Sequence, residues 1–237
     1  MANLRITWLG HGGVLYRSPE DVWVWVDRWT GAPTYADAYR AAEQVNVVAP
    51  THAHFDHVGD DLADVIELAG SDGAVVIGSH ELSVYLGGRG VEAIGMNKGG
   101  TFEAAGVRFH MVHADHTGGA TLTAGGGQVT RDLGCWGWVI EFEDGTRVYH
   151  SGDTALFGDM ALIGERWSPA IAVLPIGGHY TMGPDDAGRA LLMIGAPTVV
   201  PVHYGTFPLL TGTPGELRDA TDALVIDLAP GDTWEAE

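Results

Sequence analysis

Three imidazoles and one carboxylate fall within six residues in His52-Ala53-His54-Phe55-Asp56-His57. Imidazole is the commonest protein ligand for zinc and suits other first-row divalent ions, and a carboxylate adds a hard oxygen donor. His52 and His54 alternate along an extended or turning backbone, so both rings can face one point. Asp56 and His57 follow on the same tight loop and can face a second point close by. The competing reading is a surface loop that happens to be rich in histidine. Against it stand the apolar run Val45-Asn46-Val47-Val48-Ala49-Pro50, which delivers the cluster, and further ligand types downstream. The stretch reads as a metal site.

Those further candidates share one position, just past the end of an apolar run. His116 follows Val107–Val112, Asp153 follows the strand ending near Tyr149, and His203 follows Val199–Val202. Ligand sites of α/β proteins gather where loops converge at the carboxyl ends of strands, so one sheet edge can carry the whole set. His110 and His113 are rivals to His116; His110 lies within its strand and His113 ends it, which leaves His116 better placed on the loop. His11 and His179 lie on glycine-rich loops after strands and are expected to line a pocket. His80 and His150 read as structural residues or as partners that orient a ligand.

The elements that must position these residues follow from periodicity. Leu4–Leu9, Val14–Tyr16 and Val22–Val26 alternate with turns between them, an opening antiparallel meander. A helix is expected near Tyr35–Glu43. Gly59-Asp60-Asp61 offers acidic caps to a helix carrying Leu62, Val65, Ile66 and Ala69, and Ser79 caps another that reaches about Leu86. Thr101–Ala104 and Val107–Val112 flank Ala105-Gly106, and Trp138–Phe142 and Arg147–Tyr149 flank Asp144-Gly145, as hairpins. Gly118–Gly127 is expected to be a mobile glycine-rich loop. Ile171–Leu174 and Val199–Val202 read as buried strands. Pro184–Ile194, stopped by Gly195, and Pro214–Asp222 read as helices, and Leu224–Leu228 as a last strand. No composition break divides the chain, so residues 1–237 are expected to form a single α/β domain, with sheets and helices on their outer faces.

The formal charge of −19, from 31 acids against 12 bases, repels nucleic acid and anionic membranes at long range. No stretch approaches the ~20 apolar residues of a membrane span. The N-terminal residues enter a strand pattern at once, with no signal-peptide character. Cys135 is the only cysteine, so an internal disulfide framework is excluded and a reducing, cytoplasmic location is expected.

Taken with Trp8-Leu9-Gly10-His11, Gly95-Met96-Asn97, Tyr149-His150-Ser151-Gly152-Asp153-Thr154, Leu174–Pro184 and His203–Pro208, the signature His52-x-His54-x-Asp56-His57 resembles the metallo-β-lactamase superfamily. More narrowly, it resembles a branch of small metal-dependent hydrolases similar to ascorbate-6-phosphate lactonase. The resemblance runs from Leu4 to about Gly231. It implies a four-layer αββα sandwich with two divalent ions at the sheet edge. His52, His54 and His116 would hold the first ion and Asp56, His57 and His203 the second, with Asp153 bridging. Two departures from the branch, Arg28-Trp29 after Asp27 and the long glycine-rich Gly118–Arg131, are expected to border the substrate pocket.

The mechanism that follows is hydrolysis. Two bound ions would supply the Lewis acidity that lowers the pKa of a shared water from ~15.7 to about 7, making hydroxide available for attack on a small ester, lactone or similar carbonyl compound. Asp56 would orient that nucleophile, His179 or Tyr180 would aid the leaving group, and His11, Tyr180 and Thr181 would contact the substrate. Zinc is the first expectation, with manganese or iron(II) compatible with the same donors. His54 stands where a di-iron redox site of this superfamily typically carries Glu, which favours hydrolysis. Cys135 reads as a buried or pocket-wall thiol. The alternatives are a metal-dependent phosphodiesterase acting on a phospholipid-like, cyclic-nucleotide or RNA substrate, and a non-catalytic metal-binding protein. Expected partners are a small-molecule substrate and a second copy of the chain in a homo-oligomer, with no nucleic acid.

Overall fold

The computed structural model describes residues 2–124 and 127–236. Two seven-stranded mixed sheets lie face to face, and each follows one plan: an antiparallel meander, then parallel strands. In the first sheet, β1 (Arg5–Gly10), β2 (Gly13–Arg17) and β3 (Trp23–Val26) run antiparallel. They are followed by parallel β4 (Val47–Val48), β5 (Val75–Ser79) and β6 (Ala93–Met96). In the second sheet, β7 (Thr101–Ala104), β8 (Val107–His113), β11 (Trp136–Glu141) and β12 (Arg147–His150) are antiparallel. Parallel β13 (Ile171–Pro175), β14 (Thr198–Val202) and β15 (Leu224–Val225) complete it.

Strands such as Ile171–Pro175 are buried along their whole length because both faces are covered. One face meets the other sheet, where Ile6, Val24, Val48, Phe109, Trp138 and Val173 share a single core. The other meets helices. α2 (Ala63–Ala69) and α3 (His80–Gly87) cover the first sheet, and α4 (Met160–Trp167), α5 (Pro184–Ile194) and α6 (Pro214–Ala220) cover the second. The expected αββα sandwich is present. β11 and β12 are joined by the expected Asp144-Gly145 turn, which is exposed and has Gly145 at φ 86°.

Four local expectations need correction. Tyr35–Glu43 is not a helix; only a 3₁₀ turn forms at Asp37–Tyr39. The buried Arg28 side chain donates to the Arg40 carbonyl at 2.7 Å and to the Tyr35 hydroxyl at 3.3 Å, and Tyr35 in turn donates to the Tyr39 carbonyl, an acceptor that a helix through Glu43 would use. Asp60 and Asp61 do not cap the next helix, which starts at Ala63 after Asp61 and Leu62 adopt left-handed backbone. The Asp61 carboxylate instead accepts from Arg89 at 2.8 Å and Tyr85 at 3.1 Å. Gly118–Gly127 is not an open loop: β9 (Gly119–Ala124) and β10 (Gly127–Asp132) form an antiparallel ribbon outside both sheets, anchored by buried Leu122. Gly125 and Gly126 lie outside the described residues. The last strand stops at Val225, and an unforeseen one, β16 (Thr233–Glu235), returns to pair with β1.

Candidate metal centre

The His-rich stretch leaves β4 and is pinned to the opposite sheet before it turns. Trp136 N–H donates to the Thr51 carbonyl at 3.0 Å, Trp138 Nε1–H donates to the Pro50 carbonyl at 3.0 Å, and His52 bridges Cys135. A one-turn helix, α1 (Phe55–Val58), follows with His54 at its cap in extended backbone. That turn carries Asp56 and His57 away from His52 and His54, which creates two facing points from one short segment. His116 follows β8, Asp153 follows β12 and His203 follows β14. The first two loops are tied together, since Asp115 N–H donates to Thr154 Oγ1 at 3.0 Å and Ala155 N–H to the Asp115 carbonyl at 3.0 Å.

At the centre lies Asp153 Oδ2. It is 3.0 Å from His203 Nε2, 3.4 Å from His57 Nε2, 3.6 Å from His116 Nε2 and 4.0 Å from His52 Nε2. Among the described residues, the donor atoms of His52, His54 and His116 lie within 4.8 Å of one another, as do those of His11, Asp56, His57 and His203. The first set is the one expected for the first ion. The second contains the trio expected for the other ion together with His11. His11 was expected to touch substrate; it is instead wholly buried, with Nε2 3.1 Å from Asp56 Oδ2. Its backbone carbonyl accepts from both Trp8 Nε1–H, at 2.9 Å, and the His203 amide, at 2.8 Å.

Asp27 was missed. It is the first residue past β3, the same strand-end position that drew attention to the other candidates. Its buried carboxylate accepts from Thr51 N–H at 2.8 Å and Thr51 Oγ1–H at 2.6 Å, and lies 2.9 Å from His57 Nδ1, which aims Nε2 of that ring at the centre. His150, expected to be structural or orienting, lies 3.9 Å from Asp27 and 2.7 Å from the Tyr16 hydroxyl.

Charges are sorted by burial and by neighbours. Burial pushes His52 well below the usual imidazole range, lowers His54 and His116, and takes His11 down to about 4 against the pull of Asp56. Burial opposes ionisation of Asp56 and Asp153, yet the His11 hydrogen bond holds Asp56 at about 2, and His203 and His57 hold Asp153 well below the carboxylate range. His57 moves upward despite its burial, because Asp153 and Asp27 flank it. Ionised carboxylates among mostly neutral imidazoles are the protonation state a divalent cation needs. The donors crowd one centre: His52 Nε2 lies 3.0 Å from His54 Nδ1, and His57 Nε2 and both His203 nitrogens are buried without a hydrogen-bond partner. The residues therefore fit the metal that the sequence implies.

Above the centre opens a cavity of about 790 Å³ lined by His54, Asp56, His116, Asp153 and His203 below and by Phe55, Tyr180, Phe207, Leu209 and the ribbon residues Gly119 and Thr121 around it. Tyr180 is at this wall as expected. His179 is exposed and is not part of the lining, and neither is Thr181, which is half-buried beside it. Of the two departures, the ribbon borders the cavity. Trp29 packs behind Phe55 and Phe207, with ring centroids 5.5 Å and 5.9 Å away, and Arg28 turns inward to Asp64 and Glu67. The wall residues Phe55, Phe207 and Leu209 carry no signal in their types that sequence reasoning could have used.

Two facing mixed sheets with a convergent imidazole–carboxylate set at their shared edge define the metallo-β-lactamase class of hydrolases. A model of the beta-lactamase superfamily domain matches residues 23–204, and the chain belongs to this superfamily as one of its metal-dependent hydrolases. It is 41% identical over 246 residues to a UPF0173 metal-dependent hydrolase of Herpetosiphon aurantiacus, covering 99% of this chain and 98% of that one. A UPF0173 metal-dependent hydrolase of Methanosarcina mazei is 40% identical over 238 residues, with 98% and 99% covered. Among solved structures, a metallo hydrolase from the hyperthermophilic archaeon Ignicoccus hospitalis superposes with a TM-score of 0.83 at 32% identity, covering 99% and 98%.

Proposed function

We propose that the chain, as one catalytic domain over residues 1–237, hydrolyses a small ester, lactone or similar carbonyl compound with two divalent ions, zinc first among them. The observation that carries this is Asp153 Oδ2 lying within 4.0 Å of four imidazole Nε2 atoms drawn from both ends of the chain. His52, His54 and His116 would hold one ion, Asp56, His57 and His203 the other, and Asp153 would lie between. Bound divalent ions supply Lewis acidity, which makes a hydroxide nucleophile available near neutral pH and polarises the bond to be cleaved. The nitrogen and oxygen donors suit zinc and leave manganese and iron(II) open.

The chain's own groups do the rest. His11 fixes the orientation of Asp56, and Asp27 fixes His57. Tyr180 is the wall residue whose hydroxyl can give a proton to a departing oxygen, a role for which exposed His179 is less well placed. Cys135 takes no part: burial raises its thiol far above the usual range, and Sγ faces the Asp153 carbonyl at 3.7 Å. The small-molecule substrate would enter from solvent in the cytoplasm.

Elemental analysis of untagged protein purified without chelator tests the scheme. Close to two metals per chain is expected, with turnover abolished in His52→Ala and Asp56→Ala. One metal per chain, or wild-type rates in both variants, would overturn it.

A further inference from the structure

The cavity wall says what kind of substrate reaches the centre. We infer that, beyond its reacting carbonyl, the substrate is uncharged and apolar: a neutral ester or lactone with an alkyl or aryl acyl part. This rests on the acyl-hydrolase reading above. Among the described residues, no lysine or arginine lines the cavity. Its walls are Phe55, Tyr180, Phe207 and Leu209, and three of these are exposed to an unusual degree for large apolar side chains: Phe55 48%, Tyr180 54% and Leu209 50%. They belong to a group of eight such residues among those described, and these three converge on one opening. Clusters of exposed apolar side chains on a soluble protein mark binding surfaces.

Trp29 makes the wall rigid from behind. Its ring meets Phe55 edge-on at 5.5 Å and lies 5.9 Å from Phe207, so two of the four apolar residues are braced. Across the opening, the ribbon supplies Gly119 and the Thr121 side chain, which offers a hydroxyl without a charge. A carboxylate or phosphate on the remote part of a substrate would lie against Leu209 and Phe55 with no lysine or arginine beside it, and whatever part of it is buried there loses water without a hydrogen-bonded partner, which is costly. The volume of about 790 Å³ is within the ~300–1,000 Å³ that drug-sized ligands fill. In the reaction, one water adds across the acyl C–O bond. The acid keeps the new C–O bond, and the leaving oxygen takes the proton.

The metal-loaded full-length chain is assayed with p-nitrophenyl acetate, hexanoate and hemiglutarate. Expected kcat/KM for hexanoate is at least tenfold above acetate and at least tenfold above hemiglutarate, whose tail ends in a carboxylate. Leu209→Lys, on an exposed side chain, should narrow or reverse the second ratio. Equal rates, or preference for hemiglutarate in the wild type, would overturn the inference. Binding is read separately by saturation-transfer NMR with hexanamide and glutaramate on metal-free and metal-loaded protein. Hexanamide should be saturated and glutaramate not, and parity between them overturns the inference. Cleavage of p-nitrophenyl phenylphosphonate with no cleavage of any ester would sink the acyl-hydrolase reading alone, and the amide pair would then decide the inference about the wall.

Discussion

At the scale of single residues, the site depends on groups that hold other groups. Asp27 accepts three hydrogen-bonding partners inside the protein, and the His57 ring is one of them. Asp27→Asn keeps the size but loses the charge and one acceptor. Metal affinity should fall by roughly 10–100-fold, as for other partners that orient a ligand, and a zinc titration by calorimetry reads it. Unchanged affinity would mean that His57 needs no such anchor. Tyr180 and His179 make the opposite pair, one at the cavity wall and its neighbour outside. Tyr180→Phe should slow esters of poor leaving groups by about 10²-fold or more and leave p-nitrophenyl esters nearly untouched, while His179→Ala stays near wild type for both. The reverse result would return the proton to His179. Much of this was readable beforehand. His52, His54, Asp56, His57, His116, Asp153 and His203 all follow apolar strands, and strand ends converge. Asp27 obeys the same rule and could have been found by it. The burial of His11 was not readable, because a glycine-rich turn says nothing about which carboxylate the chain will fold it against.

At the scale of elements, one-turn helix α1 and the β1–β2 turn must meet with little tolerance. A Cβ added at Gly12 would lie 2.6 Å from His57 Cε1. Gly12→Ala should therefore displace His57 and cut metal affinity by at least about tenfold while circular dichroism stays native, since the three atoms nearest the new methyl all belong to the His57 ring. Full zinc occupancy at micromolar metal would contradict this. Gly152 has the same character: its φ is 61°, and a Cβ there would meet Thr51 at 2.6 Å. The elements themselves were mostly legible, since period and turn chemistry agreed for the hairpins at Ala105-Gly106 and Asp144-Gly145. The errors came where tertiary contacts overrode local preference, as at Tyr35–Glu43, where only a 3₁₀ turn forms beside the buried Arg28 side chain. The ribbon was missed because its glycines hid the alternation that buries Leu122.

At the scale of the whole molecule, the two sheets meet at buried polar contacts as well as in the core. His150, on the second sheet, packs against Tyr16 and Asp27 of the first. Burial lowers its pKa to about 4, although Asp27 pulls the other way. An unfolded histidine titrates near 6.5, so between those values the unfolded chain binds a proton that the folded chain refuses. Stability contributed by neutral His150 is therefore present above pH 6.5 and is lost as pH falls towards about 4. Urea denaturation of metal-free protein should show wild type losing on the order of 2 kcal/mol more than His150→Gln between pH 7 and pH 5. Parallel losses would mean that His150 is protonated in the folded state.

The exposed Asp144-Gly145 turn lies between the residues that would share the ions. A break there leaves His52, His54, Asp56, His57 and His116 on one polypeptide, and Asp153 and His203 on the other. The N-terminal piece keeps the His52, His54 and His116 trio whole, while the set of Asp56, His57 and His203 is divided between the two. Capture of a second ion by the clipped protein would thus report that its two fragments had found each other, in the manner of a split reporter whose signal is a bound metal.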